Sequence, residues 1–170
     1  MATRVLIVAY GNPLRCDDGV AWRAADALED KFPESEVEII RLHQLTPEVA
    51  DSVRDRALVL FLDAACIDDV KNSRAGEIRV REMPNEEIRK HPSGQFSHVY
   101  SPAKVLDLAR ELYHVTPNAF VLTVAGEDFG HGDCLSTPVA NSLPELIGTV
   151  EDLVKNTVST ATSTKDTDLS

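Results

Sequence analysis

Hydrophobic positions along this chain fall into unbroken apolar runs that alternate with amphipathic stretches at helical spacing. Residues 4–9 (RVLIVA) are continuously apolar and end at Gly11-Asn12-Pro13, which predicts a buried strand closed by a turn. Val20, Ala24, Ala27 and Leu28 then recur at helical spacing, so a helix is expected over residues 19–32. Residues 37–42 alternate as a second strand. Thr46-Pro47-Glu48 resembles an N-cap with proline at N1, opening a short helix to about Arg54. Residues 57–65 (ALVLFLDAA) give the strongest strand signal, apolar on both faces as a central parallel strand requires.

The second half repeats the alternation. Residues 67–75 are polar loop, and residues 76–83 alternate as a strand whose charges suit a sheet edge. Residues 86–96 are irregular. Ser101-Pro102 caps a helix that should bury Val105, Leu106, Leu108, Ala109 and Leu112. Residues 120–125 form a further buried strand, followed by the glycine-rich loop GEDFGHGDCLS. Thr137-Pro138 opens a last helical region to about Asn156, with Pro144 expected to restart the helix behind Ser142 as its cap. Residues 158–170 read as a disordered polar tail, leaving residues 1–157 as one domain. Strands apolar on both faces and alternating with helices predict a single α/β domain, an open sheet covered by helices.

Length and composition agree with that picture and remove several functions. A chain of 170 residues with 43% hydrophobic content can build one sizeable core, and at 5% aromatics that core must come mainly from Val, Leu, Ile and Ala. The net charge of −11 argues against a nucleic-acid partner, which needs a basic patch to neutralise phosphates. Cys16, Cys66 and Cys134 are odd in number and lack CxxC spacing, against both a disulfide framework and a structural zinc site. The first apolar run ends in a polar turn, and no run approaches the ~20 residues of a membrane span. A cytoplasmic protein without membrane attachment is expected.

In open α/β sheets ligands lie beyond the carboxyl ends of the strands. The first strand leads into Asp17 and Asp18, and the third ends at Asp63 after LVLFL. If those strands are neighbours, the acids meet above the sheet. Two close carboxylates repel, so one holds a proton or both share a cation; an acid/base dyad and a metal site both remain open. Of the five histidines, His98 lies just before the Ser101-capped helix and can enter from the same edge. His43 ends the second strand and would neighbour the site. His114 closes a helix, where a cation suits the dipole, while His91 and His131 belong to polar loops. Asp18, Asp63 and His98 on three loops would suit nickel, zinc or manganese.

The order LIVAYGNPLRCDDGV, LVLFLDAA, SHVYSPAKVL and GEDFGHGDCLSTPV, spanning about residues 4–154, resembles the hydrogenase maturation endopeptidases. These enzymes trim the C-terminal extension of the [NiFe]-hydrogenase large-subunit precursor. The resemblance implies a three-layer α/β/α sandwich, phosphorylase/hydrolase-like, around a twisted, mostly parallel sheet. It also implies an aspartyl-type endopeptidase whose Asp18, Asp63 and His98 are both catalytic and metal-facing. Nickel is then carried by the substrate as a recognition mark, not held as a resident cofactor, and the enzyme works as a monomer.

Departures from the commonest pattern are Ala21-Trp22 after DDGV and Cys16 where Gly or Thr is frequent. Trp22 would push the first helix outward, and Cys16 has no nearby histidine to make it a nucleophile. LHQLTPE resembles a segment that lines the cleft in some members, so His43 and Gln44 would touch substrate. Asp17 is expected to support the turn or cap the helix. Whether hydrolysis is metal-assisted or uses the carboxylates as acid and base stays open. The rival is a non-proteolytic nickel-binding or assembly protein of the same fold. A flavodoxin-like nucleotide binder is disfavoured, because Asp17 and Asp18 would repel a phosphate.

Overall fold

The computed structural model describes residues 4–68, 72–84 and 100–163, and only the backbone beyond residue 159. Five strands form one sheet in the order β2-β1-β3-β5-β4. They are β1 (Val5–Tyr10), β2 (Val37–Leu42), β3 (Leu58–Cys66), β4 (Ile78–Glu82) and β5 (Asn118–Gly126). β1 pairs in parallel with β2 and β3, and β3 with β5; β4 alone runs antiparallel, on the edge beside β5. The charged residues Arg79, Arg81 and Glu82 are what such an edge calls for, since they discourage pairing with another chain.

Alternation along the strands sends side chains into two cores. Val5, Ile7 and Ala9 of β1 and Leu58, Leu60 and Leu62 of β3 meet helices α1 (Val20–Leu28) and α4 (Thr137–Ser163) on one face. Leu6, Val8, Val59 and Phe61 meet α2 (Val49–Val53) and α3 (Pro102–Tyr113) on the other. The result is the three-layer α/β/α arrangement, with strands buried on both sides as their unbroken apolar runs require. Each fully buried Leu or Phe contributes ~1.5–3 kcal/mol, so these two layers carry most of the stability.

Several helix details differ from the sequence expectations. α1 ends at Leu28, short of residue 32, because Phe32 precedes Pro33 and is disfavoured in helical conformation; it tucks half-buried against the core instead. Its sheet-facing side is Val20, Ala21, Ala24, Ala25 and Leu28, while Ala27 is exposed. Trp22 is half-buried and is not among the buried residues of α1; its indole Nε1 donates to the Leu42 carbonyl at 3.1 Å.

Thr46 does not cap a helix. Thr46 to Val49 close a turn, Val49 N donating to Thr46 O at 3.2 Å, and α2 starts only at Val49. Ser101 does cap α3, accepting from Lys104 N at 3.3 Å. On that helix Leu112 is 58% exposed, and Tyr113 packs on the core in its place.

Pro144 does not restart the last helix; α4 is continuous through it. The Ser142 hydroxyl donates to Val139 O at 2.8 Å and so does not act as a cap. A proline in a helix costs ~3 kcal/mol. Burying Val139, Leu146, Val150 and Val154 along one stripe offsets that several times over at ~1.5–3 kcal/mol each. The helix also continues past Asn156 to Ser163, with Val158 half-buried on the same core. Among the described residues, no helix is long and apolar enough to cross a membrane.

Candidate functional site

The site forms where β1 ends beside β3, which does not stop at Asp63 as expected but runs on to Cys66 because its pairing with β5 continues that far. After Tyr10 the chain turns sharply at Gly11, whose φ of +138° few residues but glycine adopt. A Cβ there would lie 2.2 Å from the Asp18 carbonyl oxygen. Glycine thus lets the strand end run directly against the segment that carries Asp18. Asn12 Oδ1 accepts from Leu14 N at 2.9 Å and shapes the turn. A single 3₁₀ turn, Cys16–Gly19, then leads into α1.

Asp18 and Asp17 are neighbours that serve different ends. Asp18 is half-buried and its Oδ2 accepts from Asn12 N at 2.8 Å, so its carboxylate lies over the first loop. Asp17 is fully buried and faces the loop after β5. It accepts from Glu127 N and Asp128 N at 3.0 Å each, from Ser136 N at 2.7 Å and from Ser136 Oγ at 2.9 Å. Four donors satisfy a charge that would otherwise be too costly to bury. The anchoring role expected of Asp17 therefore extends well beyond its own turn. Arg15 strengthens the junction through Phe129 O, and Cys16 N donates to Gly132 O at 2.8 Å.

Asp63 sits on β3, one step beyond the fully apolar stretch, and is half-buried. Its Oδ1 accepts from Ala64 N at 2.8 Å, and the Tyr10 phenol stands beside the same carboxyl group. Burial pushes the Asp63 carboxyl up to about 7; the Tyr10 and Ala64 hydrogen bonds oppose the rise and the Asp18 charge adds to it. The Tyr10 phenol is pushed far upward by burial, then by the Asp63 charge and hydrogen bond. Asp18 and Asp63 are thus close enough to act on one another, as the neighbouring-strand condition required. Tyr10 was not foreseen as part of the site, although the period-2 alternation from Leu6 and Val8 points to the face it shares with Asp63.

The other sequence candidates fall as follows. His98 and His91 lie outside the described residues. His43 and Gln44 are exposed at the carboxyl end of β2, and the His43 ring meets Trp22 edge-on at 5.3 Å between centroids. His114 closes α3 in the left-handed conformation, its N–H donating to Arg110 O at 3.0 Å, and His131 is exposed. Cys16 is buried with its thiol pushed up by burial and by Asp128, Asp17 and Cys134, which keeps it protonated and unsuited to nucleophilic attack. Among the described residues, no three His, Cys, Asp or Glu side chains gather as a metal site. A cleft between the end of α1 and β2, lined by Leu28, Phe32, Val37 and Ile39 under three glutamates, does not include Asp18 or Asp63.

No protein-family profile matches the sequence, and no curated protein matches it either. Solved structures do match. The hydrogenase maturating endopeptidase HybD from E. coli superposes with a TM-score of 0.68 at 19% identity, covering 91% of this chain and 93% of that one. This chain has the fold of the hydrogenase maturation endopeptidases. The [NiFe] hydrogenase maturation protease HybD from Thermococcus kodakarensis gives 0.67 at 20% identity, with 89% and 99% covered. The hydrogenase 2 maturation peptidase from a Thaumarchaeota archaeon gives 0.65 at 19%, with 89% and 98% covered. The likeness spans nearly the whole of these maturation peptidases, so the first loop and the end of β3 occupy places in a shared architecture.

Proposed function

We propose that this chain is a hydrogenase maturation endopeptidase, which removes the C-terminal extension of a [NiFe]-hydrogenase large-subunit precursor after nickel insertion. The observation that carries the reading is the meeting of Asp18 and Asp63 where β1 ends beside β3, in a fold shared with named maturation peptidases. Carboxylates and an imidazole, the side chains proposed here at Asp18, Asp63 and His98, are donor types suited to nickel. Nickel enters as part of the client, so the protein's own residues supply the facing charge and the scission. The proposed setting is a cytoplasmic monomer acting on a protein client.

Hydrolysis from this pair can run two ways. With both carboxylates ionised around the ion, the metal polarises the scissile carbonyl. With one carboxyl holding a proton, the pair acts as general acid and base. Both routes give the same first test, incubation with nickel-loaded and nickel-free precursor followed by intact-mass measurement of the large subunit. Shortening of the loaded form alone is expected; an unchanged mass in both overturns the protease reading. Asp18→Asn, Asp63→Asn and His98→Ala should each slow cleavage by at least about 100-fold, since even residues that merely support metal ligands cost 10- to about 100-fold. Normal cleavage by all three would refute the site assignment while leaving the function standing.

A further inference from the structure

Tyr10 and Asp63 are brought together by strand register. Ala9 of β1 pairs with Leu62 of β3, so Tyr10 and Asp63 are the next residues along the same two parallel strands. Alternation puts both on the α2–α3 face, since Leu6 and Val8 precede Tyr10 there and Val59 and Phe61 precede Asp63. The Tyr10 ring packs half-buried on that core. A phenol at the wet end of an apolar layer needs a partner for its hydroxyl, and here the partner is the Asp63 carboxylate.

Asp63 accepts from the Ala64 N–H at 2.8 Å, and the Tyr10 phenol stands beside it from the neighbouring strand. An ionised carboxylate offers about four acceptor sites, so roughly two stay open for a cation. Without the phenol, a half-buried side chain just past the last pair between β3 and its neighbour β1 can exchange among staggered χ1 wells. The hydroxyl is neutral, so it orients the carboxylate without cancelling its charge. Phenylalanine would fill the same apolar space and provide no donor.

We propose that Tyr10 is a positioning residue for Asp63, holding its carboxylate in one rotamer beside Asp18. The functional weight of that role rests on the reading of Asp18 and Asp63 as the pair that meets the substrate's nickel.

The deciding test needs neither client nor metal. In isotope-labelled protein, three-bond couplings to Cγ report the χ1 distribution of Asp63. Wild type should show a single rotamer and Tyr10→Phe an average over wells; a single unchanged rotamer in Tyr10→Phe overturns the proposal. A second arm follows cleavage of nickel-loaded precursor. Tyr10→Phe should lower kcat about tenfold, as loss of an orienting hydrogen bond does, with KM within about twofold of wild type. Its Tm should stay within a few degrees, which separates positioning from loss of structure. An unchanged kcat overturns the proposed role in catalysis. A wild type that is inert toward loaded precursor overturns the protease reading instead, and the coupling measurement still decides whether Tyr10 holds Asp63.

Discussion

Replacing Asp17 with alanine would strip one acceptor group from four donors, three backbone amides and one hydroxyl, all set in the loop after β5. Buried donors left without a partner cost ~1–3 kcal/mol each, and the loop can recover part of that by opening to water. A net loss of about 3 kcal/mol is expected from urea denaturation, with faster hydrogen exchange at Glu127, Asp128 and Ser136. Exchange unchanged at those amides would show that Asp17 does not hold the loop. Asp63 allows a different measurement at the same scale. Its carboxyl titrates near pH 7 in the folded chain against ~3.9 when unfolded, so the native state binds the extra proton between those values. Stability from this group is therefore complete below about pH 4 and is lost as pH rises through about 7. Metal-free wild type should lose stability relative to Asp63→Asn across that window, read as urea midpoints at several pH values; a constant difference would refute the shift.

At the level of elements, Gly11 is the joint on which the first loop depends. Gly11→Ala would place a methyl 2.2 Å from the Asp18 carbonyl oxygen on a backbone with φ of +138°. Strain of this kind costs ~1–3 kcal/mol, so a lower Tm and displaced Asp18 are expected, with slower precursor cleavage as the readout. Normal Tm and cleavage would mean the turn can relax without moving Asp18. The strands themselves were readable from sequence because their apolar runs are long and their ends carry Gly, Asn and Pro. β2 matches its expected span, and the charges of β4 announced an edge. The helices were less readable where tertiary burial overrides local preference, as at Pro144, or where the core selects one neighbour over another, as with Tyr113 over Leu112. The acids at 18 and 63 stood out because each follows an apolar strand. Their meeting depends on β1 lying next to β3, a matter of strand order that residue patterns do not encode. The approach of Tyr10 to Asp63 needs the register as well, and the partners of Asp17 lie more than a hundred residues away.

For the whole molecule, the sheet and its two helical layers share strands, which predicts one cooperative unit. Leu146 is fully buried on α4, against the face opposite Tyr10 and Asp63. Leu146→Ala should cost ~2–5 kcal/mol while leaving the Asp63 rotamer unchanged. The single tryptophan, Trp22, binds the end of β2 and so reports fluorescence from the site's end of the sheet. Its transition should coincide with loss of far-UV ellipticity; separate transitions would mean that the layers unfold independently.

The hydrogen bonds of Asp17 join positions 110 to 119 residues apart in the chain. Contacts of such span close large loops and form late in folding, after local helices and adjoining strands. During synthesis, the loop that presents Asp18 lacks its final support until β5 and the segment through Ser136 have left the ribosome. A nascent chain therefore carries both carboxylates long before it carries a finished site. Any peptidase activity this protein has waits until the segment through Ser136 has been made and has closed on Asp17.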